Sequence, residues 1–250
     1  MRRPGLLIAT ALVLIMALSA AADETLLDAA RRSIAAGDLP GAEQKARQAL
    51  QADPDSAEAH YLLGNILLMS EQPDEGLVEL ERAVQLDPGH ADAHRFAAMA
   101  LLNKGDLAGA RRHLERAIEL EPNKAKSYVD LGIVLQLSGD SDGALDNLLK
   151  AKQLNPKQPD LQRNLGIIYV TRGQWPQAEA ELIPLAATPG GQSAEIQYLA
   201  GFTLFNLDRQ DDAQRHFLRS LELEADHAMP HYFLGLIALS RGEMRQGETE

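Results

Sequence analysis

The chain has 250 residues, 45% apolar and 24% charged, long enough for a sizeable core in one or two domains. Aromatics make up only 4%, too few for a large β-sandwich or barrel, and the abundance of Ala, Leu, Glu, Gln and Arg favours helix. A net charge of −12 argues against a nucleic-acid-binding body, and the absence of cysteine excludes disulfide frameworks, thiol catalysis and thiolate zinc sites.

Residues 1–22 read as a secretory signal peptide. Arg2 and Arg3 give a basic start, residues 6–18 form an apolar run broken only by Thr10, and Ala20 and Ala22 are the small residues of an A-x-A end. Cleavage is expected after Ala22, which takes the net charge from −12 to −14. The run is too short for a comfortable membrane span. The mature chain is therefore expected to be periplasmic, with no stable span. An uncleaved leader holding it to the inner membrane is the alternative.

From residue 23 onward a 34-residue period is visible. Pro54, Pro88, Pro122 and Pro156 recur at that interval behind similar segments, QALQADP, RAVQLDP, RAIELEP and KAKQLNP. With Pro as position 32, the units run 23–56, 57–90, 91–124, 125–158, 159–193 and 194–227, with a partial unit 228–250. One extra residue near Pro189-Gly190-Gly191 lengthens the fifth. Position 8 is Ala30, Gly64, Ala98, Gly132, Gly166, Gly201 or Gly235; position 20 is Ala42, Gly76, Ala110, Ala144, Ala178, Ala213 or Gly247. Small residues in both registers predict two helices whose backbones cross closely. Leu80, Leu114, Leu148, Leu182 and Phe217 at position 24 are the expected core knobs. Gly37, Gly105, Gly139, Gly173 and Gly242 at position 15 predict left-handed helix ends, and Asp38, Asp106 and Asp140 predict caps on the helices that follow.

This pattern resembles the tetratricopeptide repeat family over residues 23–250. Departures are mild. His60, His94, Tyr128 and His231 stand at position 4, where Trp is common, and Gly190 and Ala225 replace Pro in units five and six. The resemblance implies an all-α fold, an α-solenoid in which stacked helix-turn-helix units form a right-handed superhelix. It further implies that the first helices line a concave groove for a peptide or protein segment. The groove positions carry Tyr61, Asn65, Arg95, Met99, Asn103 and Ile133, then Arg163, Ile167, Tyr198, Phe202 and Asn206. The Arg residues are expected to hold acidic groups of the partner, the Asn residues to fix its backbone, and the apolar residues to supply buried area. The carboxylate clamp of some family members is broken. Asn65 and Lys126 match it, but Tyr61, Phe96 and Asp130 do not.

No nucleophile elbow, zinc-protease helix or phosphate-binding loop is present, so no enzyme activity, catalytic residue or cofactor is expected. His90 with His94 and His227 with His231 are spaced as metal-ligand pairs, but His90 and His227 lie in the turn before a helix and no third ligand is evident beyond Asp92, so no metal site is expected. The acids at position 2, including Glu58, Asp92, Asp160 and Glu195, suit the first turn of a helix. The resulting expectation is a non-catalytic interaction scaffold of the bacterial cell envelope. A self-assembling array within an envelope assembly or secretion machine, joined through the apolar helix at residues 229–239, is the alternative, and a metal-binding or enzyme-accessory subunit using His90, Asp92 and His94 is the remoter one.

Overall fold

The computed structural model describes residues 25–158 and 160–241. The expected signal peptide, its expected cleavage point and Gly242 lie outside those residues. Among the described residues all regular structure is helical. α1 spans residues 25–35. It is followed by α2 (Leu39–Ala52), α3 (Ala57–Met69), α4 (Pro73–Leu86), α5 (Ala91–Asn103), α6 (Leu107–Leu120) and α7 (Ala125–Leu137). Then come α8 (Ser141–Leu154), α9 (Leu161–Thr171), α10 (Trp175–Ala186), a 3₁₀ turn (Pro189–Gly191), α11 (Ala194–Asn206), α12 (Gln210–Leu223) and α13 (Ala228–Ser240). The chain divides into two compact units within α7, between Val134 and Leu135.

The helix boundaries follow from local chemistry. The carboxylates of Asp38, Asp106 and Asp140 accept the backbone N–H of Gly41, Gly109 and Gly143 at the starts of α2, α6 and α8. Ser56 and Ser193 do the same at α3 and α11. Each such cap contributes about 1 kcal/mol. The turn inside each repeat carries a residue with φ between 60° and 86°: Gly37, Gly105, Gly139 and Gly173, as the pattern predicts, but also Glu71 and Asp208. Those two occupy the same register as the glycines, so the turn imposes the left-handed conformation on residues that ordinarily avoid it.

In the first unit each helix packs on the next, α2 through α6, and α3 also touches α5. α1 joins through Leu27 and Ala30, which cluster with Ala49, Ala59 and Leu62. The small residues of positions 8 and 20 sit where the helices of a pair cross. A Cβ added to Gly64 would lie 2.9 Å from the Gly76 carbonyl oxygen, and one added to Gly76 would lie 3.0 Å from that of Gly64. Leu80 and Leu114, the position-24 knobs of α4 and α6, are no more than 1% exposed.

In the second unit the same order holds from α8 to α13, with α9 touching α11 and α11 touching α13. Leu148 and Leu182 are buried, and Phe217 fills the position-24 site of α12 at 0% exposure. Phe217 stacks on Phe233 with ring centroids 5.4 Å apart, and Phe202 and Phe205 pack on Phe233 from α11. Four of the chain's five phenylalanines thus meet in one cluster. The extra residue of the fifth unit is taken up by the 3₁₀ turn. Gly191 is required there, because a Cβ would lie 1.9 Å from the Leu185 carbonyl oxygen. Gln197 pins the turn by donating to the carbonyls of Ala186 and Gly191.

Two further regularities join successive repeats. Lys104–Asp74 in the first unit, and Arg172–Asp142, Arg209–Glu179 and Arg241–Asp211 in the second, are ion pairs 30 residues apart. The first, second and fourth link the residue that ends a first helix to the first turn of the preceding second helix, whereas Arg209, at the start of α12, reaches Glu179 within α10. Being exposed, each contributes at most about 1 kcal/mol. The position-4 side chain donates to the carbonyl six residues earlier: His60 to Pro54, His94 to Pro88, Tyr128 to Pro122 and His231 to Ala225. A polar ring thus fastens the helix start to the turn before it, which accounts for His and Tyr at this register.

Candidate partner-binding faces

The expected groove residues lie on the first helices of the repeats, α3, α5 and α7 in the first unit and α9 and α11 in the second. On the first unit, Tyr61, Asn65 and Ile133 are half-buried and Asn103 is exposed. Met99 on α5 is 37% and Met69 on α3 48% exposed, large values for apolar side chains. Tyr61 lies between His90 and Phe96, with centroid distances of 4.6 and 5.7 Å. Burial, followed by the carboxylates of Asp92 and Glu58, pushes its phenol up to about 12, so it acts as a neutral hydroxyl.

Arg95 is placed differently from its expected neighbours. It is 4% exposed, its guanidinium lies 4.2 Å above the Phe96 ring centroid, and it pairs with Asp92 and with Asp130 of α7. It therefore braces α5 against α7 and presents little charge to a partner. The sequence signal for this was Asp130, 35 residues on.

Two further cations of the first unit are also matched internally. Arg31 bridges Asp28 and Glu58, and Lys124 bridges Asp92 and Glu121. The hydrogen bond from His90, then that from Arg31, holds the Glu58 carboxyl below its usual range. Burial pushes Asp92 up, but Lys124 and Arg95 outweigh it and the group ends below its usual range. Glu58 and Asp92 thus act as inter-repeat ion-pair partners as well as first-turn residues, whereas Asp160 precedes α9 as its N-cap residue.

On the second unit, Ile167, Tyr198 and Phe202 are half-buried and Asn206 is exposed. Tyr198 and Phe202 lie one turn apart on α11 with rings nearly parallel, 16° apart at a centroid distance of 6.0 Å, and Trp175 meets Phe202 edge-on at 5.5 Å. Burial raises the Tyr198 phenol. Asn206 donates its side-chain N–H to the Phe202 carbonyl, which leaves its amide oxygen as the acceptor on this surface. Arg163 is exposed and pairs with Glu195. Tyr232 on α13 is 60% exposed and packs edge-on against Phe233.

The metal-ligand candidates do not converge. His90 accepts from the Ala93 N–H through Nδ1 and reaches Glu58 through Nε2. These contacts oppose each other: Glu58 raises the imidazole, while the cap bond uses the Nδ1 lone pair and needs the neutral ring. Asp92 is engaged by Lys124 and Arg95, and His94 by the Pro88 carbonyl and His113. Among the described residues no three ligating side chains gather as a metal site, and no helix is long and apolar enough to cross a membrane.

Comparison with known proteins agrees with this geometry. Models of the tetratricopeptide repeat match residues 27–91, 67–131 and 159–182, together just over half of the chain. No curated protein matches it. Among solved structures, PilF of Pseudomonas aeruginosa superposes with a TM-score of 0.78 at 21% identity, covering 87% of this chain and 99% of that one. PilW, described as a widely conserved type IV pilus biogenesis factor, gives 0.74 at 15%, covering 85% and 98%. YrrB, described as having an unusual peptide-binding site, gives 0.63 at 19%, covering 76% and 97%. Repeat period, helix pairing and matched models lead to one conclusion: the chain belongs to the tetratricopeptide repeat family.

Proposed function

We propose that the chain is a non-catalytic scaffold of the bacterial cell envelope that holds a peptide or protein segment against the faces built by its first helices. One observation carries this reading. Exposed or half-buried apolar side chains alternate with amides on those faces, Tyr61, Asn65, Met99 and Asn103 on one unit and Ile167, Tyr198, Phe202 and Asn206 on the other. Apolar groups offer buried area, and amides offer paired donors and acceptors to a partner backbone. The internal pairing of Arg31, Arg95, Lys124 and Arg163 directs the reading toward apolar and backbone recognition rather than capture of acidic groups. The leader-like residues 1–22 and the likeness in fold to pilus proteins support an envelope location.

The test is a pull-down from envelope extract with wild type, Met99→Glu, a Tyr198→Ala/Asn206→Ala double variant, and Val78→Glu as control. Val78 is 67% exposed on α4, a second helix. The reading expects partners to be lost from the first-helix variants and kept by the control. Equal capture by all four contradicts it.

α13 supports a second reading, self-association, because Met229, Tyr232 and Leu239 are 44%, 60% and 53% exposed. Light scattering on wild type and Tyr232→Asp tests it. An oligomer that dissociates on substitution supports this reading, and a wild-type monomer refutes it.

A further inference from the structure

The histidines of the third repeat form a hydrogen-bonded chain whose proton count is set by its ends. His94 Nε2 lies 3.3 Å from the Pro88 carbonyl oxygen, which can only accept, so this nitrogen carries a hydrogen. His113 Nε2 lies 3.2 Å from the Glu81 carboxylate, which likewise accepts. The two Nδ1 atoms face each other at 3.1 Å. A bond between them needs one hydrogen, donated by one ring and accepted by the other. The four ring nitrogens then carry three hydrogens, one more than two neutral imidazoles hold. We propose that His94 and His113 share one proton between their facing Nδ1 atoms and carry a single positive charge as a pair, which makes the α4–α5–α6 junction responsive to acid.

The surroundings fit this. His94 is 7% exposed, on α5, and His113 is half-buried on α6. The charged groups facing His94 are His113 and Arg116 from α6 and Glu81 from α4. One positive charge is balanced by Glu81, whereas a second would set two N–H groups against each other beside Arg116. The other repeats hold the same register differently: His60 meets the Glu79 carboxylate and Gln197 meets His216, each pair 19 residues apart. Only the third repeat, among the described residues, opposes two imidazoles.

The direction of the pH effect follows. Burial, then the charge on His113, depresses His94 below its ordinary 6.5. A depressed histidine stabilises the fold above its unfolded value, and that stability is lost as pH falls through the folded value. Acid therefore loosens this junction first by protonating the pair a second time.

The experiment uses the full chain labelled with ¹⁵N. A scalar coupling across the Nδ1···Nδ1 bond, seen as a cross-peak between the two imidazoles near pH 7, is the expected result, and the peak should vanish together with the second protonation on acidification. In His113→Gln, the His94 titration should move upward because the neighbouring charge is gone. No cross-peak anywhere between about pH 5 and 8, or a His94 titration unchanged by His113→Gln, overturns the proposal.

Discussion

Replacing Gly64 by Ala sets two effects against each other. Helix propensity favours Ala over Gly in a helix interior by about 1 kcal/mol. Against this, the new Cβ would lie 2.6 Å from Leu80 Cγ and 2.9 Å from the Gly76 carbonyl oxygen. Leu80 is fully buried, and the carbonyl belongs to the backbone of α4, so relief requires α3 and α4 to separate. Overpacking of this kind costs about 1–3 kcal/mol, so the net expectation is a loss of about 1 kcal/mol. Gly235 in α13 is the internal control. It holds the same repeat register, and among the described residues a Cβ there would meet no atom within 4 Å. Gly235→Ala should gain about 1 kcal/mol. Urea unfolding followed by circular dichroism, with slopes compared to confirm an unchanged transition, measures both. A Gly64→Ala protein stabilised like Gly235→Ala would refute the close-crossing account.

Four further outcomes are expected. Glu71→Gly and Asp208→Gly should each raise the thermal midpoint, by up to about 1 kcal/mol of stability, because they relieve a left-handed residue; a fall in the midpoint would contradict this. Phe217→Ala should cost about 3–5 kcal/mol and, by hydrogen exchange, expose amides of the second unit before those of the first. Arg95→Ala should destabilise the first unit more than Arg163→Ala destabilises the second, since Arg95 is buried with two carboxylates and Arg163 is exposed with one; equal midpoints from urea titration would contradict the bracing role. His216 is held below its ordinary 6.5 by burial and then by Arg215, so its contribution is present above that value and fades on acidification; His216→Gln should flatten the loss of stability below about pH 6.5.

Much of this fold could be read from the amino acids because close packing leaves a periodic trace. Gly64, Gly76, Leu80 and Asp106 have roles set within a single repeat, where spacing alone places them. Glu71 and Asp208 escaped because the expected turn residue was Gly, whereas the register, enforced by packing on both sides, governs the conformation. Arg95 escaped for a different reason. Its position in the repeat marks a surface, but Phe96 and Asp130 enclose it, and the second of these belongs to the next repeat. The ion pairs 30 residues apart were present in the sequence as a charge register, legible once Lys104 and Asp74 are compared with Arg172 and Asp142. The faces themselves cannot be ranked by spacing, since Tyr198 and Phe202 serve both the core and the surface.

Site-specific photocrosslinking in living cells tests the proposed function most directly. A photoreactive residue is placed in turn at Asn65, Met99 and Asn206 on first helices, and at Val78 and Leu218 on second helices. The account predicts that adducts to a common partner arise from the first set alone. Adducts to that partner from Val78 or Leu218, with none from the first-helix positions, would contradict it.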